Sequence, residues 1–143
     1  MTPRRLDSDV IRAKLDAIER SRQTLLDLHT VDATQLAQDP VIAAAVERLL
    51  TRLVDLTVDI NSHVAAAQLG RAPGEYRESF DLAVAAGLID ATLAEELKPA
   101  VGLRNIIIHE YARLDLQRVA DAVPRAVDAA GHYVTAVAQY LTT

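Results

Sequence analysis

Residues 103 to 115 read LRNIIIHEYARLD, with Arg104, Asn105, His109 and Tyr111 set around three consecutive isoleucines. Arginine holds an anion through a planar fork of N–H donors. Histidine moves a proton near neutral pH, and tyrosine offers a hydroxyl that can be modified. No other stretch of the chain concentrates as much reactive potential. On an ideal helix Arg104 and Tyr111 share one face about 10 Å apart along the axis, whereas His109 lies about 140° around from Arg104, on the side of Asn105. A straight helix therefore does not aim Arg104 and His109 at one phosphate. Either the helix unwinds near Gly102 or His109, or a two-fold partner presents its own copy of the motif across a shared cleft. The second arrangement also gives Arg104 a place, since arginine on an apolar stripe is costly in a monomer core and acceptable in a wet groove between subunits. A homodimer is the expectation.

Taken singly, an arginine, a histidine and a tyrosine near a helix end are ordinary capping and snorkelling residues, and on spacing alone that bland reading is the commoner one. The remaining histidines add little. His63 continues an apolar stripe three residues after Ile60, as a core or groove histidine does, and His29 and His132 fall at surface or loop positions. No two histidines stand at i,i+4, and no HExxH, cysteine pair, glycine-rich phosphate loop, GxSxG or dinucleotide fingerprint occurs. No metal site and no cofactor are expected.

The whole chain bounds the partners. Its 143 residues suit one domain with a real core. The absence of cysteine removes disulfides and thiolate chemistry and is compatible with a reducing compartment. No signal-like run and no membrane-length apolar segment is found, so a soluble, cytoplasmic chain without a membrane partner is expected. A net charge of -5 disfavours broad binding to nucleic acid and requires any such contact to be local. One Phe, four Tyr and no Trp leave few platforms for stacking bases.

Helices must position the motif. Ile11, Leu15, Ile18 and Leu25 form one amphipathic stripe, and Ile42, Val46, Leu49, Leu53, Leu56 and Ile60 form another. The second predicts a long central helix from just after Pro40 to Gly70. Pro73 and Gly74 break the pattern, and Tyr76, Phe80, Ala83 and Val84 predict a short helix ended by Gly87. Asp90 then caps a helix carrying Leu93, Leu97, Ala100, Arg104, Ile107 and Tyr111 on one stripe, with a bend at Pro99. After a turn near Asp115, Leu116 to Leu141 make the last helix, again bent at a proline, Pro124. The expected architecture is all-α, an up-and-down bundle of about five helices.

The Arg104, His109 and Tyr111 pattern, R-x-x-x-x-H-x-Y, resembles that of HepT-type toxins of the HEPN superfamily. The resemblance extends over APGEYRESFDLAVAAGLIDATLAEELKPAVGLRNIIIHEYARLD and the preceding helix with DLTVDINSHV, most of the chain, the N-terminal helix being least specific. It implies a single HEPN-like domain over residues 1–143, forming a dimeric helical ribonuclease that needs no metal. It further implies a minimal nucleotidyltransferase (MNT-type) antitoxin partner that transfers AMP to the motif tyrosine, Tyr111. In such an enzyme RNA supplies its own nucleophile, the 2'-hydroxyl. His109 would move the proton and Arg104 would stabilise charge on the phosphate. Asn105 would orient the phosphate or His109, and Tyr111 would line the cleft. The alternative is a non-catalytic HEPN partner, an antitoxin or binding module, of a nucleotidyltransferase. The acidic balance and scarce aromatics favour it slightly, while the intact motif favours catalysis.

Overall fold

The computed structural model describes residues 5–29 and 31–143, with the side chain of Tyr111 left out. Six α-helices follow one another: α1 (Ser8–Asp27), α2 (Ala33–Gln38), α3 (Pro40–Leu69), α4 (Tyr76–Ala85), α5 (Ala91–His109) and α6 (Leu116–Leu141), with a 3₁₀ turn at Tyr111–Arg113 between the last two. No strand occurs among the described residues. The all-α bundle expected from the periodicity is what forms.

Aspartate starts most of these helices. Asp7, Asp32, Asp39, Asp90 and Asp115 each accept a hydrogen bond from a backbone N–H of the first turn of α1, α2, α3, α5 and α6. Each thereby satisfies donors that have no partner inside the helix and places negative charge at the positive end of the dipole. Pro40 stands at the first position of α3, and Gly70, at φ 65°, ends it in the left-handed conformation. Gly87 at φ 78° does the same service after α4. Helices α5 and α6 continue across Pro99 and Pro124. The short α2 goes beyond the five helices read from periodicity. It has six residues and one buried apolar side chain, Leu36, too little to show a period.

Helix α3 is the central element and touches every other α-helix. That explains why its buried surface is broader than the single stripe in the sequence. Val46, Leu53 and Ile60 are buried as expected, but so are Leu50, Val54, Thr57, Val58, Asn61 and Val64, while Ile42, Leu49 and Leu56 are only half-buried. A helix surrounded by five neighbours buries most of its circumference. The other walls of the core come from Ile11, Ile18 and Leu25 of α1, Phe80 of α4, Leu97 and Val101 of α5, and Val119, Tyr133 and Val137 of α6.

One polar chain crosses this core. The Tyr133 hydroxyl, fully buried, donates to Asn61 Oδ1 at 2.7 Å, and Asn61 Nδ2 donates to Ser79 Oγ at 3.3 Å. Ser79 Oγ in turn donates to the Tyr76 carbonyl at 2.7 Å. Burial pushes the Tyr133 hydroxyl well above the ordinary tyrosine range, so it stays a donor. The result links α6 through α3 to the first residue of α4, and so sets where Tyr76 stands.

Candidate active site

Helix α5 carries the motif away from the core. Leu93, Leu97, Val101 and Leu103 are buried, Arg104, Ile106 and Ile107 are half-buried, and Asn105, Ile108 and His109 are exposed. His109 is the last helical residue. Glu110, at φ -134° and ψ 34°, leaves the helical backbone. The chain then tightens into the 3₁₀ turn that starts at Tyr111. The reading that put Arg104 and Tyr111 on one helical face assumed an α-helix continuing to residue 111. The helix stops two residues earlier, so that register does not reach Tyr111, and the side chain of this expected modification site lies outside the described part of the structure.

Arg104 is held on three sides. Its Nε donates to Asp55 Oδ1 of α3 at 3.1 Å, its Nη1 to Asn105 Oδ1 at 3.3 Å and its Nη2 to the Tyr76 hydroxyl at 3.4 Å. The guanidinium carbon also sits 4.5 Å from the centre of the Tyr76 ring, a cation–π contact. The Arg104 side chain is 17% exposed and that of Asp55 34%. Partial burial is the main reason the Tyr76 hydroxyl titrates above its ordinary range. The Asp55 carboxylate adds to that rise and the Arg104 charge opposes it, so Tyr76 remains neutral beneath the arginine.

These contacts correct one premise drawn from the sequence. Arg104 on an apolar stripe does not need a second subunit to be tolerated, because Asp55 and Tyr76 neutralise and cover it within the chain. They also leave it with work to do. Among the described residues three of the five guanidinium N–H groups are engaged, and one N–H on each Nη has no partner there.

His109 faces elsewhere, into a shallow groove of about 390 Å³ lined by Asn105, Ile106, His109 and Glu110. Asn105 is the connection between the two halves of the site. It accepts from Arg104 and lines the groove of His109. The structure thus brings Arg104 to Asn105 and Asn105 to His109, but it leaves Arg104 and His109 on different sides of α5, as the 100° per residue of an α-helix dictates. The other histidines fall where sequence placed them. His63 is half-buried and its Nε2 accepts the Asp7 N–H at 2.9 Å, pinning the start of α1 to α3. His29 and His132 are exposed.

Asp55 and Tyr76 were not singled out as site residues. They come from 49 and 28 residues upstream of Arg104, and the available signal was an acidic residue inside a long apolar helix. Their placement yields a test. On the role that the resemblance gives Arg104, Asp55→Ala, which removes the anchor of Nε but not the charge, should lower kcat for RNA about 10- to 100-fold, the cost of displacing such a group by about 1 Å. Asp55→Glu should recover part of the loss, and the melting temperature should change little in both. An Asp55→Ala protein with undiminished kcat would show that Arg104 is positioned by other contacts.

Fold and motif together define a HEPN-type helical domain with an R-x-x-x-x-H-x-Y site. The profile of the family described as Ribonuclease HepT-like matches residues 14–137, and the chain belongs to that family of ribonucleases. The mRNA nuclease HepT of Shewanella oneidensis is 33% identical over 116 residues, covering 81% of this chain and 86% of that protein. The tRNA nuclease HepT of Aphanizomenon flos-aquae is 26% identical over 137 residues, covering 94% and 91%. Among solved structures, the tri-AMPylated Shewanella oneidensis HEPN toxin in complex with MNT antitoxin superposes with a TM-score of 0.82 at 29% identity, over 92% of this chain and 98% of that one. The family and the ribonuclease class implied by the sequence are borne out. No helix among the described residues is long and apolar enough to cross a membrane.

Proposed function

We propose that this protein is the toxin of a HEPN/MNT pair, a ribonuclease that cuts RNA without a metal ion at a site built from Arg104 and His109. The observation that carries the reading is the Arg104 guanidinium, fixed by Asp55 and Tyr76 with an N–H on each Nη left over among the described residues, one residue from the Asn105 that lines the groove of His109. His109 as a base takes the proton of the RNA 2'-hydroxyl, and that oxygen attacks the adjacent phosphorus. Arg104 binds non-bridging oxygens and stabilises their added charge. The P–O5' bond breaks, the 5'-oxygen receives a proton, and the products are a 2',3'-cyclic phosphate and a 5'-hydroxyl.

The separation of Arg104 from His109 around α5 is resolved by a homodimer that presents both motifs to one cleft. Three consecutive isoleucines support it, because Ile106 and Ile107 are only half-buried and Ile108 is 40% exposed next to the site. An apolar patch in that place suits cover by a second copy. Light scattering at micromolar concentration should give the mass of a dimer, and Ile108→Asp should shift it toward monomer with loss of cleavage. A fully active monomer would remove the shared cleft.

The partner proposed is an MNT-type nucleotidyltransferase antitoxin that adds AMP to Tyr111. Solved HEPN toxins similar to this chain occur in complex with such an antitoxin and, in one case, AMPylated. The second reading, a non-catalytic partner of the nucleotidyltransferase, draws support from the Asp55–Arg104 ion pair, which already neutralises the arginine within the chain.

A further inference from the structure

Gly102 stands inside α5, where glycine is less favourable than alanine. It has no left-handed backbone to justify it, since the glycines with positive φ are Gly70 and Gly87. Two arginine side chains end beside it. A Cβ at position 102 would lie 3.1 Å from Nη2 of Arg77 and 3.8 Å from Nη2 of Arg118. The two nitrogens are therefore less than about 7 Å apart, a gap the oxygens of one phosphate span with charge-assisted contacts of about 2.8 Å on each side.

Neither arginine is placed for helix stability. Arg77 lies in the first turn of α4 and Arg118 in the first turn of α6, where a cation opposes the helix dipole. Both are exposed, and neither has a carboxylate within ion-pair distance among the described residues. The contrast is Lys98, one turn earlier on the same side of α5, which Asp81 and Glu95 hold at 2.7 and 2.8 Å. In a chain of net charge -5, two guanidinium groups converge on one glycine without a counter-charge. That arrangement is self-repelling when empty and favourable around an anion.

Its position names the anion. Gly102 and His109 are seven residues apart on α5, which sets them about 20° apart around the helix and about 10 Å apart along it. Asn105 and Ile106 lie between them along the same side, flooring the groove of His109. We propose that Arg77 and Arg118, which meet beside Gly102, form a subsite for a backbone phosphate of the RNA strand next to the bond cut at His109. The subsite rests on the reading of His109 as the residue at the scissile phosphate. It gives an acidic protein the local basic contact that RNA binding demands, and it reads backbone rather than base.

Binding is measured in the His109→Ala background, where RNA is held without being cut, by anisotropy of a labelled single-stranded RNA oligonucleotide across a salt series. Arg77→Ala combined with Arg118→Ala should weaken binding about tenfold and lower the slope of log affinity against log salt by about 0.7, the value for one phosphate contact with a single strand. Arg20→Ala, on α1, which makes no contact with α5, should change neither. In the active protein the double substitution should raise KM for the oligonucleotide, and the penalty should shrink on a dinucleoside monophosphate, which has only the scissile phosphate. Unchanged affinity and slope in the double variant, or no measurable RNA binding at all, overturns the subsite. RNA bound through these arginines but never cut by the parent protein overturns the active-site reading and leaves the subsite standing.

Discussion

Alanine at His109 should lower kcat for RNA cleavage by about 10²- to 10⁴-fold, the range for a lost proton-transfer group. Alanine at Arg104 should cost about 10²- to 10³-fold, the range for a lost donor to a developing oxyanion. The helical circular dichroism should be unchanged in both. His109 is exposed at the end of α5, so its truncation opens no cavity. Removal of Arg104 leaves Asp55 with a 34% exposed side chain that water can solvate. Arg104→Lys should be nearly as poor as alanine. An ammonium retains the charge, yet it cannot donate to Asp55 through one nitrogen while offering a fork of N–H groups to phosphate through two others. Cleavage that survives both alanine substitutions belongs to another site or to a contaminant.

The second large effect concerns Tyr111. Co-expression with the MNT-type partner should raise the intact mass by one or more adenylyl units, and Tyr111→Phe should abolish the increase entirely. Two of the other tyrosines are poor competitors. Tyr133 is fully buried with its hydroxyl donated to Asn61, and Tyr76 is half-buried under Arg104. Tyr111 begins the 3₁₀ turn two residues after His109. A phosphodiester attached there would add negative charge at the His109 end of α5 and repel an RNA phosphate. Neutralisation then needs no refolding. An unchanged mass, or a label on Tyr76 or Tyr140, would favour inhibition by complex formation instead.

Local rules made much of the fold legible. Pro40, Gly70, Gly87, Asp90 and Asp115 mark helix ends where their backbone chemistry demands, and the stripe of Ile11, Leu15, Ile18 and Leu25 is buried as its period implies. Helix α2 escaped because six residues hold less than two turns. The site was half legible. Arg104, Asn105 and His109 lie on one helix, so spacing alone predicts that Arg104 and His109 diverge and that Asn105 accompanies His109. Asp55 and Tyr76 reach Arg104 from α3 and α4, and the Asn61–Ser79–Tyr133 chain that sets Tyr76 joins three helices. No period encodes such contacts, because they depend on how whole helices pack. Nor does a helical stripe reveal that its arginine has a carboxylate waiting on a neighbour, which is why Arg104 by itself argued too strongly for a second subunit.

The most direct test is the chemistry of the cut ends. Purified protein is incubated with single-stranded RNA in excess chelator, and the products are analysed by mass spectrometry. Attack by the 2'-hydroxyl at a site of Arg104 and His109 predicts cleavage under those conditions, with a 2',3'-cyclic phosphate on one fragment and a 5'-hydroxyl on the other, both absent with His109→Ala. Cleavage that stops in chelator, or fragments carrying a 3'-hydroxyl and a 5'-phosphate, would contradict it.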